Sequence, residues 1–285
     1  LRDSLVKTVG QLKGNMVVIA LATSEPSKVV GLRLGNAGGI VVGKNEDSAF
    51  MASDTVALLS HTAEVVYLES GQVVEIESGS FRLFDFNGKP IEGESVKTDQ
   101  SFRAAQKGKY PDFMSKEIAE QPEAIQRAIA GRVNLVSGEL EMPEITLSTN
   151  HIRSIDRVLI TGMGTSLHAG MFGASMIESL ARIPASAENS SELRYRNPVI
   201  GSNTLIIAVT QSGETADTLA AMEYASQQGS CQIAILEQEG SQAARIADFT
   251  LPIHAGQEIG VASTKTMIAS MTTLLELSIF LARVR

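Results

Sequence analysis

Val158-Leu159-Ile160-Thr161-Gly162-Met163-Gly164-Thr165-Ser166, and further along Thr204-Leu205-Ile206-Ile207-Ala208-Val209-Thr210-Gln211-Ser212-Gly213-Glu214-Thr215, follow one pattern. A short apolar run ends in glycines and hydroxyls, and a helical pattern follows. Continuous apolar runs of this length mark strands buried on both faces of a parallel sheet, and two more stand at Gln232 to Leu236 and Phe249 to Ile253. Between and after them lie helical stretches at Leu167 to Leu180, Ala216 to Gln228 before Gly229, Gln242 to Ala247, and Thr264 to Arg283. Strand, turn and helix in alternation predict a doubly wound α/β domain with a parallel sheet.

Working outward, the stretch up to about Val96 has a different period. Strands are expected at Met16 to Leu21, Lys28 to Leu34, Gly39 to Gly43, Phe50 to Ala52, Glu64 to Leu68, Gln72 to Glu77 and Phe81 to Phe86. Gly, Asn and Asp turns separate them, so a mostly antiparallel sheet follows. Ser53 or Asp54 is placed to cap one short helix, and Asn87-Gly88 reads as a type I′ turn. From Ser95 to about Gln106 the chain turns polar, as a linker does. Phe113 to Glu120 and, after Pro122 at a first-turn position, Glu123 to Ala130 read as a helical hairpin docking onto the later domain.

Composition narrows the function. The 285 residues suffice for two compact domains, and 44% hydrophobic with 20% charged residues fits a soluble globular protein rather than a disordered or fibrous one. No stretch is read as a membrane span. Subtracting 32 acidic from 24 basic residues gives −8, and basic pairs such as Arg194 with Arg196 never extend into a stripe, which disfavours nucleic-acid binding. One cysteine, Cys231, excludes an internal disulfide and suits a reducing, cytoplasmic setting. The chain begins at Leu1, with no initiator Met or signal peptide ahead of it, and it ends inside an apolar helical run. It therefore reads as a piece of a longer protein.

Ligands of an open parallel sheet bind at the carboxyl ends of its strands. Three junctions there are rich in hydroxyls and glycine: Gly162 to Ser166, Thr210 to Thr215, and Gly260-Val261-Ala262-Ser263-Thr264-Lys265. Glycines let the backbone approach an anion, while hydroxyls and free helix amides donate to phosphate oxygens. A tight turn capped by Ser or Thr is the competing explanation at any one junction. The P-loop pattern is absent, and the third glycine of a dinucleotide fingerprint would fall at Leu167. Neutral donors without lysine in the first two junctions suit a small-molecule monophosphate. His61, His151, His168 and His254 have no partner at metal-ligand spacing, so no metal site is expected. His168 either reaches the ligand or packs locally. Glu192, Arg194 and Tyr195 are either a solvated loop or support for the site. Cys231 begins an apolar strand and reads as a small hydrophobe.

Ser212-Gly213-Glu214-Thr215-Ala216-Asp217-Thr218-Leu219 and Glu258-Ile259-Gly260-Val261-Ala262-Ser263-Thr264-Lys265 resemble the isomerising glutamine–fructose-6-phosphate aminotransferases, also called glucosamine-6-phosphate synthases. Met114 to Pro122 is similar to that family's interdomain segment and Phe50 to Asp54 to the later half of its glutaminase domain, so the likeness runs from Leu1 to Arg285. The resemblance implies that residues 1–95 are the later part of an N-terminal nucleophile glutaminase domain of αββα type. Residues 96–145 would be a linker and docking segment, and 146–285 the first of two sugar isomerase (SIS) domains. It further implies that Gly164, Thr165, Ser166, Thr210, Gln211, Ser212 and Thr215 hold fructose 6-phosphate, with Val261 and Ser263 lining the same pocket. Met163 stands where the family usually has Cys, and Thr210 where it has Ser.

The family makes glucosamine 6-phosphate from fructose 6-phosphate and glutamine, with no metal or organic cofactor and as a homodimer. Its nucleophilic cysteine would precede Leu1 and its second SIS domain would follow Arg285, so this piece is expected to bind the sugar phosphate without catalysis. Two rivals remain, a non-catalytic sugar-phosphate-sensing SIS regulator and a SIS-type sugar-phosphate deglycase.

Overall fold

In the computed structural model, residues 1–35, 39–53, 55–58, 60–62, 64–97 and 107–285 are described. The chain divides into two compact units, Leu1–Gln106 and Lys107–Arg285. The proposed cap at Asp54 and residues 98–106 of the expected linker lie outside the described residues.

The first unit opens on α1 (Arg2–Val9), which the sequence pattern did not announce. Strands follow at β1 (Met16–Leu21), β2 (Lys28–Leu34), β3 (Val41–Lys44), β4 (Ala49–Ala52), β5 (Glu64–Tyr67), β6 (Gln72–Glu77), β7 (Ser80–Asp85), β8 (Pro90–Ile91) and β9 (Ser95–Lys97). Among the described residues they form two antiparallel sheets, ordered β1-β2-β6-β7-β8 and β4-β3-β5-β9. Alternation explains the layers. Val73 and Phe84 face α1 together with Val30, Leu32 and Val9, while their neighbours Val74 and Leu83 meet Val42 and Val66 of the other sheet. Ser95, expected in the linker, starts β9 and pairs with Val66.

The Asn87-Gly88 turn is not type I′. Gly88 has φ of +81° but Asn87 is not among the positive-φ residues. The Gly88 amide donates to the Asp85 carbonyl at 3.0 Å and the Asp85 amide to Lys89 at 2.9 Å. The loop thus has three residues, a tight turn closed by a left-handed glycine. Asp85 Oδ1 accepts from the Asn87 and Lys89 amides at 2.9 and 2.8 Å, which favours that longer form.

The second unit begins with α2 (Phe113–Ala119) and α3 (Gln121–Ile129), the expected helical hairpin. Asp112 caps α2 by accepting from the Ser115 amide at 2.7 Å, and that bond holds its carboxyl below the usual range. A small hairpin, β10 (Val133–Asn134) with β11 (Glu139–Leu140), and α4 (Thr149–Ser154) lead into β12 (Arg157–Gly162), α5 (Thr165–Met176), β13 (Ala185–Asn189), α6 (Ser190–Arg196), β14 (Thr204–Val209), α7 (Ala216–Gln227), β15 (Cys231–Leu236), α8 (Gln242–Ile246), β16 (Phe249–Pro252) and α9 (Lys265–Val284). The parallel sheet has the order β13-β12-β14-β15-β16. The fold is therefore the α/β arrangement expected for the later domain. Strand β13 and helix α6 are additions to the sequence-based layout, and α6 occupies the stretch that was a candidate loop around Glu192, Arg194 and Tyr195.

Both faces of this sheet are covered, which is why its strands read as unbroken apolar runs. Val158, Ile160, Leu205, Ile207, Ile233 and Ile235 pack with Ala169 and Ala174 of α5 and Leu274, Leu277 and Leu281 of α9. Leu159 and Ile206 face Leu193, Ala221 and Ala225 on the other side. Gly173 permits close α5–α9 packing, since a Cβ there would stand 2.8 Å from Leu274 Cδ2. By length and composition alone α9, with 20 residues, is apolar enough to cross a membrane, contrary to the expectation that no stretch reaches that size. In this fold its apolar face lies in the core of the second unit.

Candidate functional site

The strand order reverses between β12 and β14. The chain runs from β12 to the edge at β13, then returns to the far side of β12, and a crevice opens at such a switch point beyond the strands' carboxyl ends. Thr161 of β12 is in register with Ala208 of β14, so Gly162 to Ser166 and Thr210 to Thr215 leave the sheet side by side. Glycine is required at the seam. A Cβ on Gly162 would lie 3.0 Å from the Val209 carbonyl oxygen and 3.0 Å from the Ser166 carbonyl carbon.

Each junction ends in an uncapped helix. Gly164, at φ of +54°, is the N-cap of α5 and Thr215 that of α7, and neither helix receives a side-chain cap from that residue. Helix starts carry unpaired amides and a partial positive charge, so both ends are suited to an anion. Thr165, Ser166, Gln211 and Thr215 are half-buried around them and Ser212 is exposed. Thr210 sits deeper: it is 5% exposed and its Oγ1 accepts from the Gly213 amide at 3.3 Å. It braces the turn from beneath. Gly213 adopts φ of +66°, and a Cβ there would lie 2.0 Å from Ser241 Oγ.

A buried chain of hydroxyls underlies the two junctions, and the sequence reading had not assigned it. Thr161 Oγ1 lies 2.8 Å from Ser190 Oγ, to which Thr218 Oγ1 donates at 3.2 Å. All three are at most 1% exposed. The chain ties the end of β12, the start of α6 and the first turn of α7 together. Ser190 stands two residues before Glu192, but nothing local marks its partners.

The third junction is built differently. Glu237, following β15, donates its amide to the Gln211 carbonyl at 3.2 Å, and its carboxylate accepts from the Ala255 and Gly256 amides at 2.8 Å each. The segment after β16 is thereby linked to the second junction. The start of α9 is already occupied: Glu258 Oε1 accepts from the Thr264 amide at 2.8 Å, the Thr264 hydroxyl at 3.2 Å and the Thr266 amide at 3.3 Å. Ser263 Oγ accepts from the Met267 amide at 3.2 Å, and Val261 is fully exposed. Gly164, Thr165, Ser166, Thr210, Gln211, Ser212 and Thr215 thus gather at the switch point, whereas Val261 and Ser263 lie on a separate segment.

The remaining candidates sort simply. His168 is exposed in the first turn of α5. Arg194 donates to the Tyr195 hydroxyl at 2.9 Å and its guanidinium lies 4.7 Å from that ring's centre, so the two satisfy each other on α6. Burial, aided by the Asp248 carboxylate, pushes the Cys231 thiol up to about 11, which leaves it without thiolate character at neutral pH.

Residues 151–279 match the family model described as SIS domain. Over its whole length the chain is similar to particular members. It is 38% identical to the isomerizing glutamine–fructose-6-phosphate aminotransferase of Streptomyces coelicolor, covering 100% of this chain and 46% of that protein. It is 41% identical to the enzyme of the same name from Methanosarcina acetivorans, covering 99% and 45%. Among solved structures, the C-terminal domain of glucosamine-fructose-6-phosphate aminotransferase from Francisella tularensis matches with a TM-score of 0.58 and 33% identity, over 63% of this chain and 49% of that one. The chain spans about half the length of the curated relatives it matches.

Proposed function

We propose that this chain is part of an isomerising glutamine–fructose-6-phosphate aminotransferase, and that the switch-point crevice grips the phosphate of fructose 6-phosphate. The observation that carries this is the pairing of two uncapped, hydroxyl-lined helix starts on adjacent strands. Such a pair offers neutral donors from two directions, as a monophosphate needs. In this role Thr165, Ser166, Ser212 and Thr215 donate to the phosphate with the first amides of α5 and α7, and Gln211 and the Val261–Ser263 segment meet the sugar. Whole-chain similarity to enzymes of that name supports the assignment over a SIS-type sensor or deglycase.

Under the same proposal the first unit is the later part of a glutaminase domain, with residues 1–95, 96–145 and 146–285 as glutaminase part, linker with docking segment, and first SIS domain. The layering of α1 against two antiparallel sheets is consistent with it. The working protein is a cytoplasmic homodimer that also uses glutamine. These residues supply grip rather than bond chemistry, since the Cys231 thiol is held too high to act as nucleophile.

The test is thermal unfolding with and without fructose 6-phosphate. A ligand at a hundred times its Kd adds about 2.7 kcal/mol to the stability of the state that binds it. Ser212→Ala combined with Thr215→Ala is expected to abolish that protection. An undiminished shift in the double variant would place the ligand elsewhere.

A further inference from the structure

The segment His254 to Lys265, which carries Val261 and Ser263, has little secondary structure of its own, and the α2–α3 hairpin holds it at several points. Arg127 of α3 donates to the His254 and Ala255 carbonyls at 2.8 and 2.7 Å. Glu117 of α2 accepts from the Ile259 amide at 2.6 Å and from the Gly260 amide at 3.1 and 3.2 Å through its two oxygens. Just beyond α2, Glu120 pairs with Lys265 at 2.7 Å. Burial opposes ionisation of Glu120, yet hydrogen bonds from Lys265 and Lys116 keep its carboxyl below the usual range.

Glu117 is the centre of this grip. It is 2% exposed, and a buried carboxylate persists only where donors compensate for lost water. Here those donors include two backbone amides 142 and 143 residues away in sequence. Gly260 completes the fit, because a Cβ there would lie 2.6 Å from Glu117 Oε2. The amides so fixed immediately precede Val261, which is fully exposed and makes no packing contribution of its own.

We propose that Glu117 is a positioning residue for the sugar site: by fixing the Ile259 and Gly260 amides it sets where Val261 and Ser263 present themselves to the body of the sugar, while the phosphate grip at α5 and α7 is independent of it. This rests on the function proposed above. A residue that merely supported the fold would weaken every ligand alike. Glu117 instead separates two ligands, inorganic phosphate, which needs only the α5 and α7 ends, and fructose 6-phosphate, which also needs the loop.

The experiment measures both affinities by titration calorimetry on the whole 285-residue chain and on Glu117→Gln, which keeps shape but sets an amide group against two amide donors. Loss of one charged hydrogen-bonding partner predicts about a tenfold drop in affinity for fructose 6-phosphate, with inorganic phosphate within about twofold. Gly260→Ala, which drives a methyl group at the same carboxylate, is expected to give the same split and serves should Glu117→Gln fail to fold. Glu117→Asp, which keeps the charge, should recover part of the sugar-phosphate affinity. Equal loss of both ligands, or loss of neither, overturns the assignment of Glu117. Failure of the parent chain to bind fructose 6-phosphate overturns the proposed function, and the role of Glu117 with it.

Discussion

Glu276, in the middle of α9, is a carboxyl at 4% exposure, and its surroundings make a quantitative prediction about pH. One of its oxygens faces Arg132 Nη1 at 3.4 Å, while Arg132 is held more tightly by Glu144, at 2.8 Å through Nε and 2.7 Å through Nη2. Arg132 also donates to the Pro252 carbonyl at 2.9 Å. Two acids therefore share one base. Among the described residues Glu276 Oε1 and the nearby Thr273 Oγ1 are buried without a hydrogen-bond partner. Burial pushes the Glu276 carboxyl up to about 7, against the pull of Arg132 and with some help from the Glu144 charge.

Moving a carboxyl from 4.5 to about 7 is worth about 3 kcal/mol, at 1.36 kcal/mol per pH unit. Between those values the folded protein keeps a proton that the unfolded chain has released. Stability contributed by this group is thus present near pH 4.5, falls as pH rises toward about 7, and levels off above it. Glu276→Gln fixes the neutral form and leaves Arg132 balanced by Glu144. It is expected to match the parent near pH 4.5 and to exceed it by about 3 kcal/mol at pH 8. Because the chain has two units, a single melting curve mixes them. Hydrogen exchange of α9 peptides, corrected for the intrinsic rate at each pH, reads the second unit alone. A difference between variant and parent that stays flat from pH 5 to 8 would refute the reasoning.

Ser190→Ala removes the middle of the Thr161–Ser190–Thr218 chain and leaves two buried hydroxyls short of a partner, at a cost of about 1–3 kcal/mol measurable by exchange of peptides from β12 and α7. Gly213→Ala meets both a φ of +66° and a 2.0 Å approach to Ser241 Oγ; it should destabilise by more than about 1 kcal/mol and weaken phosphate binding in calorimetry. With its thiol near 11, Cys231 should react with iodoacetamide at pH 8 about a hundredfold more slowly in the native chain than in urea, and comparable rates would show that the strand does not shield it.

What the sequence disclosed follows from how locally each feature is encoded. Strands β12, β14, β15 and β16 of the parallel sheet were legible from their apolar runs, and where both faces are covered nearly every position is apolar, as in Thr204–Val209, all of it buried. Strand β13, Ala185-Ser186-Ala187-Glu188-Asn189, lies at the sheet edge with every residue only half-buried, so no apolar run marks it. Helix α1 fully buries only Val9, too little for a period to stand out. The glycines and hydroxyls of the first two junctions were visible because tight strand-to-helix turns require them within a few residues. Glu117 and Ser190 were not, since their partners lie far along the chain and are chosen by the tertiary fold.

The helix starts give the candidate site a direction. A phosphate dianion arriving at this edge meets three helix N-termini, of α5, α7 and α9, and a bare dipole argument would treat them as equal. They are not equal, because Glu258 already places a carboxylate on the Thr264 and Thr266 amides at 2.8 and 3.3 Å. That charge satisfies α9 and repels a second anion. The α5 start has no acid in its first turn, while α7 carries Asp217 there and takes no side-chain cap from Thr215. Under the proposed function the phosphate is therefore expected at the switch point, nearest the acid-free α5 start, rather than at α9, and the loop before α9 is left to the neutral part of the ligand. Glu258→Gln should blunt this contrast: the α9 end loses its resident charge, and inorganic phosphate should then show weak second-site binding in calorimetry that the parent chain lacks. If the variant binds phosphate with the parent's stoichiometry, the acid at α9 is a helix cap and nothing more.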